Sequence, residues 1–502
     1  MRLELFLLVD FFRSLMRGWA RRIGMATMLI VGVIMSAPAL SYASDHTIES
    51  VARKVFDVQS EVLPNGLHVI RHHRDFSDTL TLQLVVDVGF QDFTCEFAQA
   101  PHVLEHMLFE GTKRFDRKAL RQRIRDHGGL SNGYTTEEYT YYTLDIHSSY
   151  PKIGFENLYS MVSEPLFNPE DLARTRSVIH SEFGTSANKL QLALARKRVV
   201  KEVAKARIYV GSNLECPEIT SPDSVSMDLI KSIFARDYVP GNMTLIVMGH
   251  FDDAEVSEAI QATLAKLEAK PVPVRAPVHF GKIDYLSPLV ENRGLFDPEV
   301  DISLYIPAPG SIQPENDAYR IVAEYLGEQL FYDVRGQRGM AYTPLAKVDN
   351  NSQYGLLEAT TRTSSQWADE VIALFREKYA EIRANGVPEE DVVRLRRKLI
   401  LEFESKQRYN LEQAQLYRHY RHQIREHGKM PDLVERMQKV DAAAVKQVLD
   451  TSFPPQPLIT EQRAPTGWEA ALRIVPASML FAAVILWLMR RANRKRFSQK
   501  RL

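Results

Sequence analysis

The sequence predicts an α+β protein of two similar domains in tandem, each a mostly antiparallel sheet with packed helices, followed by a transmembrane helix. Three observations carry this. Strand-like runs, turn signals and helical stretches alternate from residue 57 to 249. After Pro271-Val272-Pro273 and Pro277 the same grammar begins again. Finally, Ile474–Met489 is sixteen residues without a charge, directly ahead of a basic tail.

In chain order, Arg17, Arg21 and Arg22 precede an apolar run from Met25 to Leu40. Ser41-Tyr42-Ala43 then supplies small residues at the positions of a cleavage site, the layout of a secretory signal. The competing reading is an uncleaved N-terminal anchor. Pro64-Asn65-Gly66 is a turn signal, and Leu67–Arg71 reads as the return strand of a hairpin. Leu82, Leu84, Val86 and Val88 alternate along a second strand. A helix follows that contains His102, Glu105 and His106, with Pro101 in its first turn, where a missing N–H costs little. Lys118–Asp126 reads as helix, His127-Gly128-Gly129 breaks it, and 130–146 reads as strand and turn. Helices are expected at 153–163, 170–183, 190–205 and 226–238, and an apolar strand at Met243–Gly249. Past the prolines come strands at 301–306 and 358–363 and helices at 315–335, 367–385 and 389–425. The expected boundaries are a leader over 1–43, a first domain over 44–270, a linker over 271–285 and a second domain over 286–451. A proline-rich stalk over 452–472, a span over 473–490 and a basic cytoplasmic tail over 491–502 complete the chain.

Charge is balanced overall, with 63 basic and 63 acidic residues, but it is unevenly placed. Residues 473–502 hold eight Lys or Arg and no acid, and the body over 44–472 holds 50 basic and 61 acidic residues. An acidic body excludes a phosphate-binding face of the kind nucleic acid requires. The basic tail is of the kind retained in the cytoplasm, and Arg473 and Arg490 can snorkel to lengthen the short span. With an exported N-terminus, the body then faces outward, which in a bacterium is the periplasm. Cys95 and Cys216 are the only cysteines; they pair outside the cytoplasm or stay buried and unpaired.

The chemistry is concentrated in His102-Val103-Leu104-Glu105-His106. Two histidines four apart share one helix face, and Glu105 reaches the same space. Neutral imidazoles can occupy two corners of a zinc tetrahedron, and a neighbouring carboxylate can take a proton from water activated there. The order is the reverse of H-E-x-x-H and suits the same reaction. The bland alternative is a polar helix rim.

The wider pattern resembles the pitrilysin-like (inverzincin, M16) zinc peptidases, the group that includes insulysin and the mitochondrial processing peptidase. The resemblance covers most of 57–450 and rests on five signatures in order. These are Leu63–Leu67, His102–Thr112, Gly128–Thr135 continuing to Thr140-Tyr141-Tyr142, Tyr238–Met243 with the strand after it, and Leu330–Tyr342. It implies two α/β-roll domains. It also implies a third zinc ligand about 76 residues beyond the second histidine, at Glu182; from the residues alone, His180 is a rival. Two His and one carboxylate, with a fourth position open to water, make a catalytic type of zinc site. The resemblance further implies that Asn132 and Gly133 lie on a sheet edge that pairs with substrate backbone, and that Arg335 and Tyr342 hold and polarise the substrate carbonyl. Without it, Asn132 reads as a turn residue, and Arg335 and Tyr342 as a salt bridge and a core tyrosine.

Two departures stand out. The family's accessory glutamate is replaced by Thr175, and Arg174 and Arg176 beside it predict a positive neighbourhood at the metal. The lead-in to the metal helix is Gly89–Phe97, without the family's acidic pattern. The expected function is a zinc metalloendopeptidase with Glu105 as general base, anchored in the inner membrane by one C-terminal span and acting in the periplasm. It would cleave peptides or small unfolded proteins, as a homodimer or as a heterodimer with a related subunit. The alternative is a non-catalytic, membrane-anchored scaffold or peptide-binding subunit.

Overall fold

Two sheets carry the fold. In this computed structural model the described residues are 56–74, 78–182, 209–210, 221–275, 279–280, 289–292, 298–407, 410–465, 467–468 and 485–487. The strands in chain order are β1 (Gln59–Val62), β2 (His68–His73), β3 (Thr79–Val86), β4 (Leu130–Thr135), β5 (Thr140–His147), β6 (Tyr209–Val210) and β7 (Met243–Gly249). They continue with β8 (His279–Phe280), β9 (Leu289–Asn292), β10 (Glu299–Pro309), β11 (Leu345–Asn350), β12 (Tyr354–Ser364) and β13 (Leu458–Arg463). The first sheet has the order β1-β2-β7-β3-β5-β4 and the second β11-β12-β10-β13-β9; β6 and β8 form a separate pair. Among the described residues only the β2–β7 and β13–β9 pairings are parallel. The opening hairpin turns at Gly66, whose φ of 94° suits glycine, and closes with Val62 opposite His68.

Among the described residues, the α-helices of the first half are α1 (Ala100–Leu108), α2 (Arg117–Arg125), α3 (Pro151–Ser163), α4 (Pro169–Glu182), α5 (Met227–Asp237) and α6 (Asp253–Ala262). They share a core with one face of the first sheet, in which Leu80, Leu82, Leu84 and Val86 meet Val103, Leu104, Met107 and Leu108 of α1. Each such buried side chain contributes roughly 1.5–3 kcal/mol, which fixes the rotation of α1 and so the direction of its histidines. The second half contributes α7 (Glu315–Leu330), α8 (Ala368–Asn385), α9 (Glu389–Lys406), α10 (Asn410–His427), α11 (Leu433–Gln438) and α12 (Ala442–Thr451). A π-helical turn, Phe331–Gln337, follows α7 directly.

The period-two pattern of β3 predicts one buried face, but both faces are buried. Val85, Ile70, Ile246 and Met248 pack against Tyr417, Tyr420 and Ile424 of α10, which covers the sheet side opposite α1. Arg418 donates to Gln83, and Arg421 Nε donates to Asp87 Oδ1 at 2.6 Å. Burial pushes the Asp87 carboxyl up, yet the guanidinium of Arg421 and neighbouring cations hold it below its ordinary value.

The region 389–425, read as helical, holds two helices, α9 and α10. The stalk is not a stalk through its first part: Leu458–Arg463 is β13, hydrogen-bonded between β10 and β9. Its prolines shape the entry to that strand, where Phe453 is buried and Tyr379 donates to the Pro454 carbonyl. The linker is tethered too, since Arg275 pairs with Asp92 and Asp237. The leader over 1–43, the expected 190–205 helix and the charge-free 474–489 run, apart from helical residues 485–487, lie outside the described residues. Among the described residues no helix is long and apolar enough to cross a membrane. Cys95 is disulfide-bonded, and Cys216 is the only other cysteine in the sequence.

Candidate metal centre

Helix α1 starts after Gln99 with Pro101 in its first turn and presents His102 and His106 one turn apart. Their Nε2 atoms are 3.2 Å apart. Packed beside α1, α4 carries Glu182, whose Oε2 lies 3.4 Å from His102 Nε2 and whose Oε1 lies 3.5 Å from His106 Nε2. A tetrahedral zinc site with ligand bonds of about 2.0–2.1 Å has ligand–ligand edges of roughly 3.3–3.4 Å. The three donors therefore stand at the corners such an ion needs, and they form the metal-competent cluster found among the described residues. His180, the rival ligand, turns instead to Asp223 at 3.1 Å.

The protonation of the donors fits a metal. Gln99 Oε1 accepts from His102 Nδ1–H at 3.1 Å, which leaves the Nε2 lone pair of the neutral ring directed at the cluster. Burial, then the neighbouring His106, lowers the His102 pKa to about 4. Burial also lowers that of His106; Glu182 and Glu110 oppose the shift and Arg121 adds to it.

Glu105 is buried against strand β4, the edge of the first sheet. Thr135 Oγ1 donates to its Oε2 at 2.9 Å. Burial raises the Glu105 pKa to about 7; the Thr135 hydrogen bond opposes this and Glu182 adds to it. A carboxylate poised there can exchange protons near neutral pH. On the inner side β4 pairs with β5, with Asn132 opposite Thr143 and Gly133 opposite Tyr142. No strand pairs with its outer side among the described residues.

Models of two families match the chain: "Insulinase (Peptidase family M16)" over residues 68–218 and "Peptidase M16 inactive domain" over 224–399. The chain belongs to the M16 peptidase family. Among its relatives is an "uncharacterized zinc protease" of Streptomyces coelicolor, 21% identical over 369 residues, covering 72% of this chain and 79% of that one. A protease from Helicobacter pylori shares the fold with a TM-score of 0.69 at 16% identity, over 81% of this chain and 99% of that one. The periplasmic protease PqqL from Escherichia coli does so with a TM-score of 0.65 at 12% identity, over 82% and 45%.

In this M16 chain the residues expected around the metal divide into two groups. His102, Glu105, His106, Glu182, Asn132 and Gly133 converge. Arg335 and Tyr342 lie together, the guanidinium 4.8 Å from the tyrosine ring centre, but neither lines the cavity beside the histidines. Tyr342 is 78% exposed, so it is not a core tyrosine. Thr175 is buried, with its hydroxyl on Met107 Sδ at 3.5 Å. The positive charge expected from Arg174 and Arg176 is neutralised at Arg174, while Arg176 is turned to a backbone carbonyl. Arg174 is bound by Glu110 and Asp171, and Arg176 donates to the Val225 carbonyl at 2.6 Å. Sequence reasoning missed Gln99, Glu110 and Thr135, and also Arg117, Arg121 and Arg125, which line a cavity of about 440 Å³ beside the histidines. Their four-residue spacing on one helix was the available signal.

Proposed function

We propose that this chain is a zinc metalloendopeptidase that hydrolyses peptides or small unfolded proteins. The observation that carries the reading is the set of donor separations, 3.2, 3.4 and 3.5 Å, with Glu105 held beside them on a sheet edge. His102, His106 and Glu182 would hold the ion. Zinc bound there supplies Lewis acidity and brings the pKa of water toward about 7. Asn132 and Gly133, on the outer strand, align an extended substrate through backbone hydrogen bonds. Glu105 takes the proton of the attacking water and returns it to the departing amine. That neither Arg335 nor Tyr342 lines the cavity beside the histidines supports a two-chain assembly, a homodimer or a heterodimer with a related subunit, in which a second half brings such a pair to the substrate carbonyl.

We place the body in the periplasm of a bacterium, held by the 473–490 segment in the inner membrane. The signal-like N-terminus, the charge-free run before a basic tail and the disulfide at Cys95 support this. The "inactive domain" description falls on the half without the histidines and so does not favour a scaffold.

The test is metal analysis of the full-length chain with digestion of a mixed peptide library, against Glu105→Gln. The expected result is about one zinc per chain in both proteins and cleavage only by the wild type. Retained turnover in the variant refutes Glu105 as base; a zinc-free, inert wild type favours the scaffold.

A further inference from the structure

Helix α2 carries arginines at 117, 121 and 125, one turn apart. Leu120 and Ile124 on its other side are buried in the first core, which sets the helix rotation. All three arginines consequently line the same cavity as Glu105, His106, Glu182 and the start of strand β4. Arg117 lies 3.7 Å from Glu110, which also binds Arg174. Arg121 and Arg125 have no carboxylate within ion-pairing distance among the described residues. Of the carboxylates in the cavity, Glu105 accepts from Thr135, Glu110 is held by two arginines and Glu182 faces the histidines. Two guanidinium groups therefore face the cavity with their charge uncompensated.

Their position along the docking edge is defined. Glu105 meets β4 at Gly133 and Thr135. The C-terminal end of α2 meets the other end of β4, where Gly129 N–H donates to the Ile124 carbonyl, and the arginines share the cavity with Leu130, Ser131 and Asn132. The distance from Gly133 to Leu130 is about 10 Å at about 3.3 Å per residue. A peptide added to this edge places alternate side chains toward the helix layer. One of those, within about three residues of the bond opposite Glu105, reaches the arginines. A guanidinium fork matches a carboxylate in shape and charge and repels a lysine or arginine.

We propose that Arg121 and Arg125 form a substrate subsite for a carboxylate, which makes acidic peptides the preferred substrates. The proposal rests on the peptidase reading and adds its specificity. An antiparallel substrate places the acid on the C-terminal side of the scissile bond, and a parallel one on the N-terminal side. The carboxylate comes from an internal Asp or Glu, or from a peptide C-terminus.

The test uses the full-length protein and one parent peptide in which each position around the cleavage point is in turn Asp, Asn or Lys. Each peptide is made with a free and an amidated C-terminus. The expected result is one position at which Asp exceeds its isostere Asn by about tenfold in kcat/KM, with Lys below Asn. Raising salt from about 0.05 to about 0.5 M compresses that ratio, and R121E/R125E reverses the Asp–Lys order. A preference that follows the free C-terminus instead assigns the subsite to the terminal carboxylate. Equal rates for Asp, Asn and Lys at every position, with either terminus, overturn the proposal while leaving the peptidase standing. If no peptide is cleaved, the peptidase reading fails, and fluorescence anisotropy of the same peptides on the wild-type chain decides the subsite. Tighter, salt-sensitive binding of Asp over Asn upholds it; equal binding overturns it.

Discussion

Gly133 stands where no side chain fits beside Glu105: a Cβ on Gly133 would fall 2.6 Å from Glu105 Oε1 and 2.8 Å from its Cγ. The strand that would align the substrate therefore also sets the position of the Glu105 carboxylate, the proposed general base. Gly133→Ala should displace the carboxylate and lower kcat/KM by about 10²-fold. Zinc content and thermal midpoint should stay near wild type. Unchanged peptide cleavage would show that Glu105 does not depend on this contact.

Gln99 is buried, and its amide oxygen accepts a hydrogen bond from His102 Nδ1, 3.1 Å away. Gln99→Leu removes that acceptor without touching the metal ligands. The expected effect is a 10- to 100-fold loss of zinc affinity, read by competition with a chromophoric chelator. Wild-type affinity in this variant would mean that ring orientation comes from packing alone.

Arg421 and Asp87 join the two halves across a buried boundary, with Arg421 also stacked 4.7 Å from the Tyr139 ring centre. Arg421→Ala leaves a carboxylate without its main partner and should destabilise by about 3–5 kcal/mol. Adding Asp87→Asn should restore part of this. Strictly additive losses in denaturant titrations of the single and double variants would rule out coupling.

His68 is fully buried on β2 and contacts Ser60 and Thr244. Burial first, then Arg425 and His422, lowers its pKa from 6.5 to about 4. The unfolded chain binds this proton at a pH where the folded chain does not, so stability rises with pH across that window. The contribution is complete above about pH 6.5, declines as pH falls and is exhausted below about pH 4, by up to about 3 kcal/mol. Denaturation midpoints of wild type and His68→Gln between pH 7.5 and 4 (about one buffer step per unit) should converge as the pH falls. Parallel curves would assign the acid sensitivity to other groups.

What could be read in the chain was what neighbouring residues enforce. The hairpin turn at Pro64-Asn65-Gly66, the first-turn Pro101 and the shared face of His102 and His106 depend on backbone preferences and helical spacing within a few residues. Glu182 came only through the family resemblance, because nothing local separates it from His180; the packing of α4 on α1 does. Where prolines suggested a stalk, β10 supplies a hydrogen-bonding edge that makes Leu458–Arg463 a strand. The arginine face of α2 was visible as spacing, but its target depends on which side of that helix the core buries. Local order is set by torsional and hydrogen-bonding choices made residue by residue. Convergence of groups tens of residues apart is set by the burial of apolar faces, which is a property of the assembled core.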